Sequence, residues 1–230
     1  MVKAILLDIE GTLSSISYVK DVMFPYSKKK LKQFLEENRE NEKVKQIIKQ
    51  VEDIEGKKLS LEEVAQILEK WIDEDKKVTP LKELQGLIWK EGFESGELKG
   101  HLYEDAYKKL KEWKDKGYQL YIYSSGSVGA QKLYFSHSEY GNILDLFSGH
   151  FDTKIGNKKE QKSYEKIAKE IGLKPEEILF LTDNPDEVKS AEKAGMKAIR
   201  IVRPEDSEYI QDFPYPQVKN LEEVENVVKL

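Results

Sequence analysis

The sequence contains no cysteine, which excludes disulfides, thiolate metal sites and a cysteine nucleophile. Histidine is nearly as scarce. His101, His137 and His150 are scattered along the chain, so there is no H-E-x-x-H zinc motif and a Ser–His triad fits poorly. Arginine is restricted to Arg39, Arg200 and Arg203, against 35 lysines. No stretch approaches the roughly 20 consecutive apolar residues that a membrane-spanning helix needs. Met1 runs straight into a strand-like segment, without the basic, apolar and small-residue blocks of a signal peptide. A cytoplasmic protein is therefore expected. What is present is a chain of 230 residues, 39% hydrophobic and 35% charged, with a net charge of −5. That is enough apolar material for a core inside a charged shell, and too much for a disordered chain. The length suits one domain with an insertion, or two small domains. The acidic balance predicts neither a nucleic-acid nor a membrane partner. The excess of Lys and Glu fits a hot habitat or an AT-rich genome, and it carries no information about chemistry.

Residues 2–8 (V-K-A-I-L-L-D) form a nearly continuous apolar run that ends in a carboxylate. Such a run predicts a strand buried on both faces, as in a parallel sheet covered by helices. Similar runs occupy residues 118–124, 178–183 and 197–202, with amphipathic stretches at 104–116, 159–171 and 186–194. Alternation of this kind predicts a doubly wound (Rossmann-like) α/β parallel sheet. Residues 14–100 break the alternation and read as helices throughout, at 26–40, 42–55, 61–75 and 81–94. Ser60 followed by Glu63 is a capping box, and Thr79-Pro80 starts a helix with Pro in its first turn. An all-helical insertion at 14–100 is expected, interrupting an α/β core formed by 1–13 and 101–230.

In open α/β sheets ligands bind beyond the carboxyl ends of the strands. Those ends read Asp8-Ile9-Glu10-Gly11-Thr12, Ser124-Ser125-Gly126-Ser127 and Thr182-Asp183-Asn184, the last followed by Asp186 and Glu187. Carboxylates without His or Cys select a hard cation such as Mg²⁺, which pairs one or two carboxylates with phosphate oxygens. A carboxylate can also attack phosphorus and split a hard hydrolysis into two steps. Glu10 can act as acid and base if the chain curls after the strand, as Gly11 allows. Hydroxyls and N–H groups at Ser124, Ser125 and Gly126, opening a helix, can hold phosphoryl oxygens. Each residue also has a plain structural reading. Asp8 can cap a turn, Ser124 and Ser125 can cap the next helix, and Asp183-Asn184-Pro185 can form a turn. Lys158 is one lysine among 35.

Taken together, D-I-E-G-T, the strand-end Ser124, a Lys before a helix and T-D-N-P-D-E resemble the four motifs of the haloacid-dehalogenase-like phosphatase superfamily. Lys158 with Tyr164 has the spacing of the third motif. Lys154 does not, and it is read as lying in the preceding strand end. Glu187, four residues after Asp183, takes the position of the second acid of the fourth motif, in preference to Asp186. Glu10 stands where most members have Asp. That Glu, with F-P-Y at 24–26, L-Q-G-L-I-W at 84–89, Y-I-Y-S-S-G-S at 121–127 and G-H-F-D-T-K-I-G at 149–156, is similar to the enolase-phosphatase (acireductone synthase) family of methionine salvage.

The resemblance implies a haloacid-dehalogenase-type core with a helical cap. It implies an enolisation followed by a dephosphorylation, converting 5-methylthio-2,3-dioxopentyl phosphate to the acireductone 1,2-dihydroxy-5-methylthiopent-1-en-3-one and phosphate. Asp8 would be the nucleophile and a Mg²⁺ ligand, Asp183 a second ligand, and Glu10 a ligand through its carbonyl and an acid/base group through its side chain. Ser124 and Ser125 would bind substrate, Lys158 would neutralise charge on the phosphoryl group, and Gly126 and Glu187 would support them. One Mg²⁺ per subunit, a small phosphate ester as the only partner and a monomeric state complete the expectation. Gln85, Trp89, Phe93 and His101 are candidate substrate contacts, although Trp89 and Phe93, four apart on one helix face, more often mark a core. A different small phosphate ester is the nearest alternative substrate, and a phosphate-holding module without turnover is the alternative from another class.

Overall fold

The computed structural model describes residues 1–230, which divide into two compact units: Met1–Ile16 with Lys99–Leu230, and Ser17–Leu98. In chain order, β1 (Ala4–Leu7) leads to the one-turn helix α1 (Ile16–Tyr18) and a short π-helical segment, Val19–Met23. Helices α2 (Phe24–Glu37), α3 (Glu42–Glu55), α4 (Leu61–Asp73) and α5 (Thr79–Ser95) follow. The chain continues with α6 (Glu104–Asp115), β2 (Gln119–Tyr123), α7 (Val128–Ser136) and β3 (Gly149–Phe151). It ends with α8 (Gln161–Ile171), β4 (Ile178–Thr182), α9 (Pro185–Lys193), β5 (Lys197–Ile201), β6 (Gln217–Val218) and α10 (Val224–Val227).

The six strands form one sheet in the order β3-β2-β1-β4-β5-β6, parallel throughout. The apolar run read from the sequence becomes the central strand: all four residues of β1 are completely buried, and β1 pairs with β2 on one side and β4 on the other. Strand order reverses at β1, so the ends of β1 and β4 flank the crevice where a doubly wound sheet receives its ligand. Ala4, Leu6, Tyr123, Phe180 and Ala198 from the strands pack with Tyr164, Ile167, Val188 and Ala191 from α8 and α9.

The unit Ser17–Leu98 is all helical. Its helices bury the faces that their sequence period dictates: Val44, Ile47 and Val51 on α3, and Val64, Ala65, Leu68 and Trp71 on α4. These form one apolar core with Leu31, Leu35, Leu81, Leu84 and Ile88. The capping box at Ser60 forms as read, with Glu63 N–H donating to Ser60 Oγ at 3.2 Å and Ser60 N–H donating to Glu63 Oε1 at 3.0 Å.

Three details depart from the sequence reading. The sheet gains β3 and β6, edge strands of three and two residues that are too short to show a period. Lys154 lies in the turn beyond β3 rather than at a strand end, with its N–H bound to Asp152 Oδ1 at 2.9 Å. The core unit runs to Ile16 and resumes at Lys99, against expected limits of 13 and 101. Hydrogen bonds explain the shift. Leu13 O accepts from Tyr103 N, Ser14 O accepts from Gly11 N, and Gly100 N donates to His137 O.

Candidate active site

The turn after β1 is built around one carbonyl. Ile9 O accepts the N–H groups of Thr12, Leu13 and Ser14 at 2.9–3.1 Å, and Gly11 closes the curl at φ +79°. Gly11 is required here for a second reason. A methyl carbon in its place would stand 2.7 Å from Asp183 Cγ, so only a residue without a side chain lets the two loops abut. The Asp183 side chain thereby abuts the turn that follows Asp8, 175 residues away in sequence, where the Asp8 charge acts on it.

Around Asp8 the polar groups interlock. Lys158 Nζ donates to Asp8 Oδ1 at 2.7 Å and lies 3.1 Å from Glu187 Oε1. Thr182 Oγ1 lies 3.0 Å from Asp8 Oδ2 and 2.9 Å from Glu187 Oε1. Asp8, Lys158, Thr182 and Glu187 are all buried. Burial alone would push the Lys158 ammonium toward neutrality, but the charges of Asp8 and Glu187 outweigh it and hold its pKa above the ordinary lysine value. Lys158 is also fixed from behind: Tyr164 Oη donates to its carbonyl, and the Tyr123 ring lies 5.5 Å from its Nζ.

Three carboxylates against one ammonium leave an excess of negative charge. Burial first, and the charge of Asp8 second, hold both Asp183 and Glu187 above the usual carboxylate range. A divalent cation relieves this arrangement. No three Asp, Glu or His side chains converge into an all-protein cage, and Mg²⁺ does not ask for one, since it takes one or two carboxylates and completes its octahedron with carbonyl, water and phosphate oxygens. The oxygen-only donors of the two facing loops fit that ion.

At the end of β2, Ser124 is buried and its Oγ accepts from Gly126 N–H at 3.2 Å, whereas Ser125 and Gly126 are exposed. The residue that caps α7 is Ser127, whose Oγ accepts from Ala130 N–H at 3.1 Å. Ser124 and Ser125 thus stand outside the cap, on the loop. That loop is held by Gln131, whose Nε2 donates to Gly126 O at 2.8 Å and Phe151 O at 2.9 Å. Gln131 Oε1 in turn lies 3.2 Å from His150 Nδ1. His150 is half-buried in β3.

The structure therefore brings Asp8, Lys158, Asp183 and Glu187 into one cluster. Glu10 lies exposed in the β1 turn, its backbone bridged to Ser14. Asp186 is exposed. The other candidates are committed to local packing. Phe93 is buried, Trp89 donates its indole N–H to Met23 O at 2.9 Å, and Gln85 donates to Ser27 Oγ at 3.2 Å. His101 Nδ1 accepts Ser15 N–H at 3.1 Å. Gln131, Arg200 and Arg203 have no site role in the sequence reading, and Thr182 is placed there at its strand end without one. Thr182 was legible in T-D-N-P, at the strand end and one residue before the acid. Nothing in the sequence marks the other three.

A family profile of haloacid dehalogenase-like hydrolases matches residues 2–195. The chain is 61% identical to the enolase-phosphatase E1 of Persephonella marina, over 97% of this chain and 99% of that one. It is 68% identical to the enolase-phosphatase E1 of Aquifex aeolicus, over 88% and 91% of the two chains. Among solved structures, the UTR4 protein of Saccharomyces cerevisiae superposes with a TM-score of 0.83 at 33% identity, covering 96% of this chain and 99% of that one. A haloacid-dehalogenase-type phosphatase from Thermococcus onnurineus shares the fold, with a TM-score of 0.64 at 20% identity. A profile match over residues 2–195 and relatives of this identity over nearly the whole chain lead to one assignment: the chain belongs to the enolase-phosphatase E1 family of haloacid dehalogenase-like hydrolases.

Proposed function

We propose that this protein is a Mg²⁺-dependent enolase-phosphatase of methionine salvage, converting 5-methylthio-2,3-dioxopentyl phosphate to the acireductone and phosphate. The observation that carries the reading is the buried contact of Lys158 with Asp8 and Glu187 at the β1–β4 crevice, at 2.7 and 3.1 Å. In this reading Asp8 and Asp183, with the Glu10 carbonyl, hold one Mg²⁺ per chain. When bound, the ion supplies positive charge to the phosphoryl oxygens. Asp8 attacks phosphorus and Lys158 balances the charge that builds on the equatorial oxygens. Ser124, Ser125 and the Gly126 N–H orient the phosphoryl group. Thr182 and Glu187 position Lys158 and the Asp8 carboxylate, and the Glu10 side chain exchanges the proton of the leaving oxygen and the attacking water. A small phosphate ester is the only partner proposed, for a monomeric chain in the cytoplasm.

Incubation with the diketone phosphate and Mg²⁺, following the enol by ultraviolet absorbance and phosphate separately, tests the reading. Both products should accumulate over many turnovers. Phosphate without acireductone would leave a phosphatase of another small ester, and a burst of one phosphate per chain would leave a phosphate-holding module. Glu10→Asp shortens the side chain by one methylene and should depress enolisation more than phosphate release. An equal fall in both steps would show that the extra methylene has no part in the enolisation.

A further inference from the structure

A chain with 35 lysines keeps three arginines, and two of them lie three residues apart at the end of β5, buried, each on the backbone of a different active-site loop. Arg203 donates from Nε and Nη2 to Thr12 O at 3.1 and 2.7 Å, within the turn that follows Asp8. Its Nη1 and Nη2 form a fork on Asp105 at 2.8 and 3.0 Å, and its guanidinium stacks 3.8 Å from the centre of the Tyr103 ring. Arg200 donates from Nε to Asp183 O at 2.9 Å and from Nη1 to Glu208 O at 2.9 Å and Gln217 Oε1 at 2.8 Å. The third arginine, Arg39, is exposed in the helical unit.

The two clamped loops are those that abut at Gly11 and Asp183. A guanidinium can grip a carbonyl and a second acceptor at once in a fixed plane, which a lysine ammonium cannot do. A buried carbonyl left without its donor would be free to move, and the carboxylate on the same loop would move with it. The geometry points to Arg200 and Arg203 as a pair of positioning residues that set the spacing of the Asp8 and Asp183 loops, and with it the affinity for Mg²⁺. Neither arginine is assigned contact with substrate. The inference rests on the Mg²⁺-dependent reading above and deepens it, because it places control of the metal on side chains that do not ligate it.

Arg200→Lys and Arg203→Lys test the pair, with Arg39→Lys as the control. Half-saturation by Mg²⁺ is read from the rise in melting temperature during a MgCl₂ titration without substrate, and again from phosphate release. The clamp variants should need roughly tenfold more Mg²⁺ or above, as is usual when groups behind metal ligands are altered. Their kcat at saturating Mg²⁺ should return to within about threefold of the parent, and Arg39→Lys should match the parent in both readouts. A lowered melting temperature with unchanged Mg²⁺ half-saturation would overturn the proposal, since the arginines would then serve the fold alone. If the lysine variants do not fold, Gln217→Leu and Asp105→Asn loosen each guanidinium without removing it. These should shift Mg²⁺ half-saturation in the same direction by less, and no shift in either overturns the proposal. A parent that binds Mg²⁺ and releases phosphate without acireductone would remove the proposed substrate and leave the clamp standing. A parent that binds no Mg²⁺ would end both.

Discussion

The two units of the molecule treat buried polarity in opposite ways. Within Ser17–Leu98 the buried polar side chains are Ser27 and Gln85, neutral and hydrogen-bonded to each other, with every charge left partly or wholly in solvent. In the core unit, Asp8, Asp152, Lys158, Glu187, Arg200 and Arg203 are all buried. The helical unit is thus held by apolar packing and caps, the cheapest arrangement physically. Under the proposed function, Asp8, Lys158 and Glu187 are charges already in place to meet a phosphoryl group and a cation. Such preorganisation costs stability in the free protein and lowers the barrier when charge develops.

The largest effect should come from removing the central charge. Asp8→Asn is expected to lower phosphate release by about four orders of magnitude, measured under saturating substrate and Mg²⁺. Retention of a substantial rate would mean that Asp8 is not the attacking group. On the helical side, Leu84 is fully buried in the apolar core, and Leu84→Ala should cost about 2–5 kcal/mol of unfolding free energy in that unit. Chemical denaturation reads it directly, and a cost below that of an exposed Leu would contradict the core described for that unit.

A sharper contrast follows from Asp183, whose carboxyl is held above its ordinary range by burial and by Asp8. Its folded-state pKa exceeds the unfolded value, so the folded protein binds more protons and its metal-free stability declines as pH rises above the ordinary carboxylate range. Asp183→Asn should therefore raise stability in EDTA by about 1–2 kcal/mol while phosphate release falls. A variant that is less stable than the parent in EDTA would show that the carboxylate is stabilising there, and the comparison between the units would lose its central case. The smallest effect is expected at the cap of α4, where Ser60→Ala removes half of a reciprocal pair and should cost about 1 kcal/mol. No change in melting would show that solvent satisfies the Glu63 N–H equally well.

Much of the fold was legible because its signals are local. The four inner strands and the main helices follow from apolar runs, period and caps, and they fall within a few residues of their expected limits. Two members of the cluster were legible for a related reason. Asp8 and Asp183 stand at strand ends, where backbone geometry allows few directions, whereas Lys158 and Glu187 were marked only by the motif spacing that the family resemblance supplies. Gln131 and His150 were not legible. Gln131 sits on α7, a helix with little amphipathic pattern, and His150 on a strand of three residues, so neither has a local context that predicts burial.

The sequence by itself determined the order of the main elements, the polar residues that stand at the strand ends and the exclusion of thiol and histidine–zinc chemistry, since each depends on residue type and near-neighbour spacing. Only the tertiary structure decided which groups share a charge. Asp8 meets Thr182 and Lys158 through strand pairing and loop approach over more than a hundred residues, Gly11 admits the Asp183 carboxylate, and two arginines close on the carbonyls behind both loops. Long-range contact is set by how the whole sheet packs, and no window of neighbouring residues contains that information.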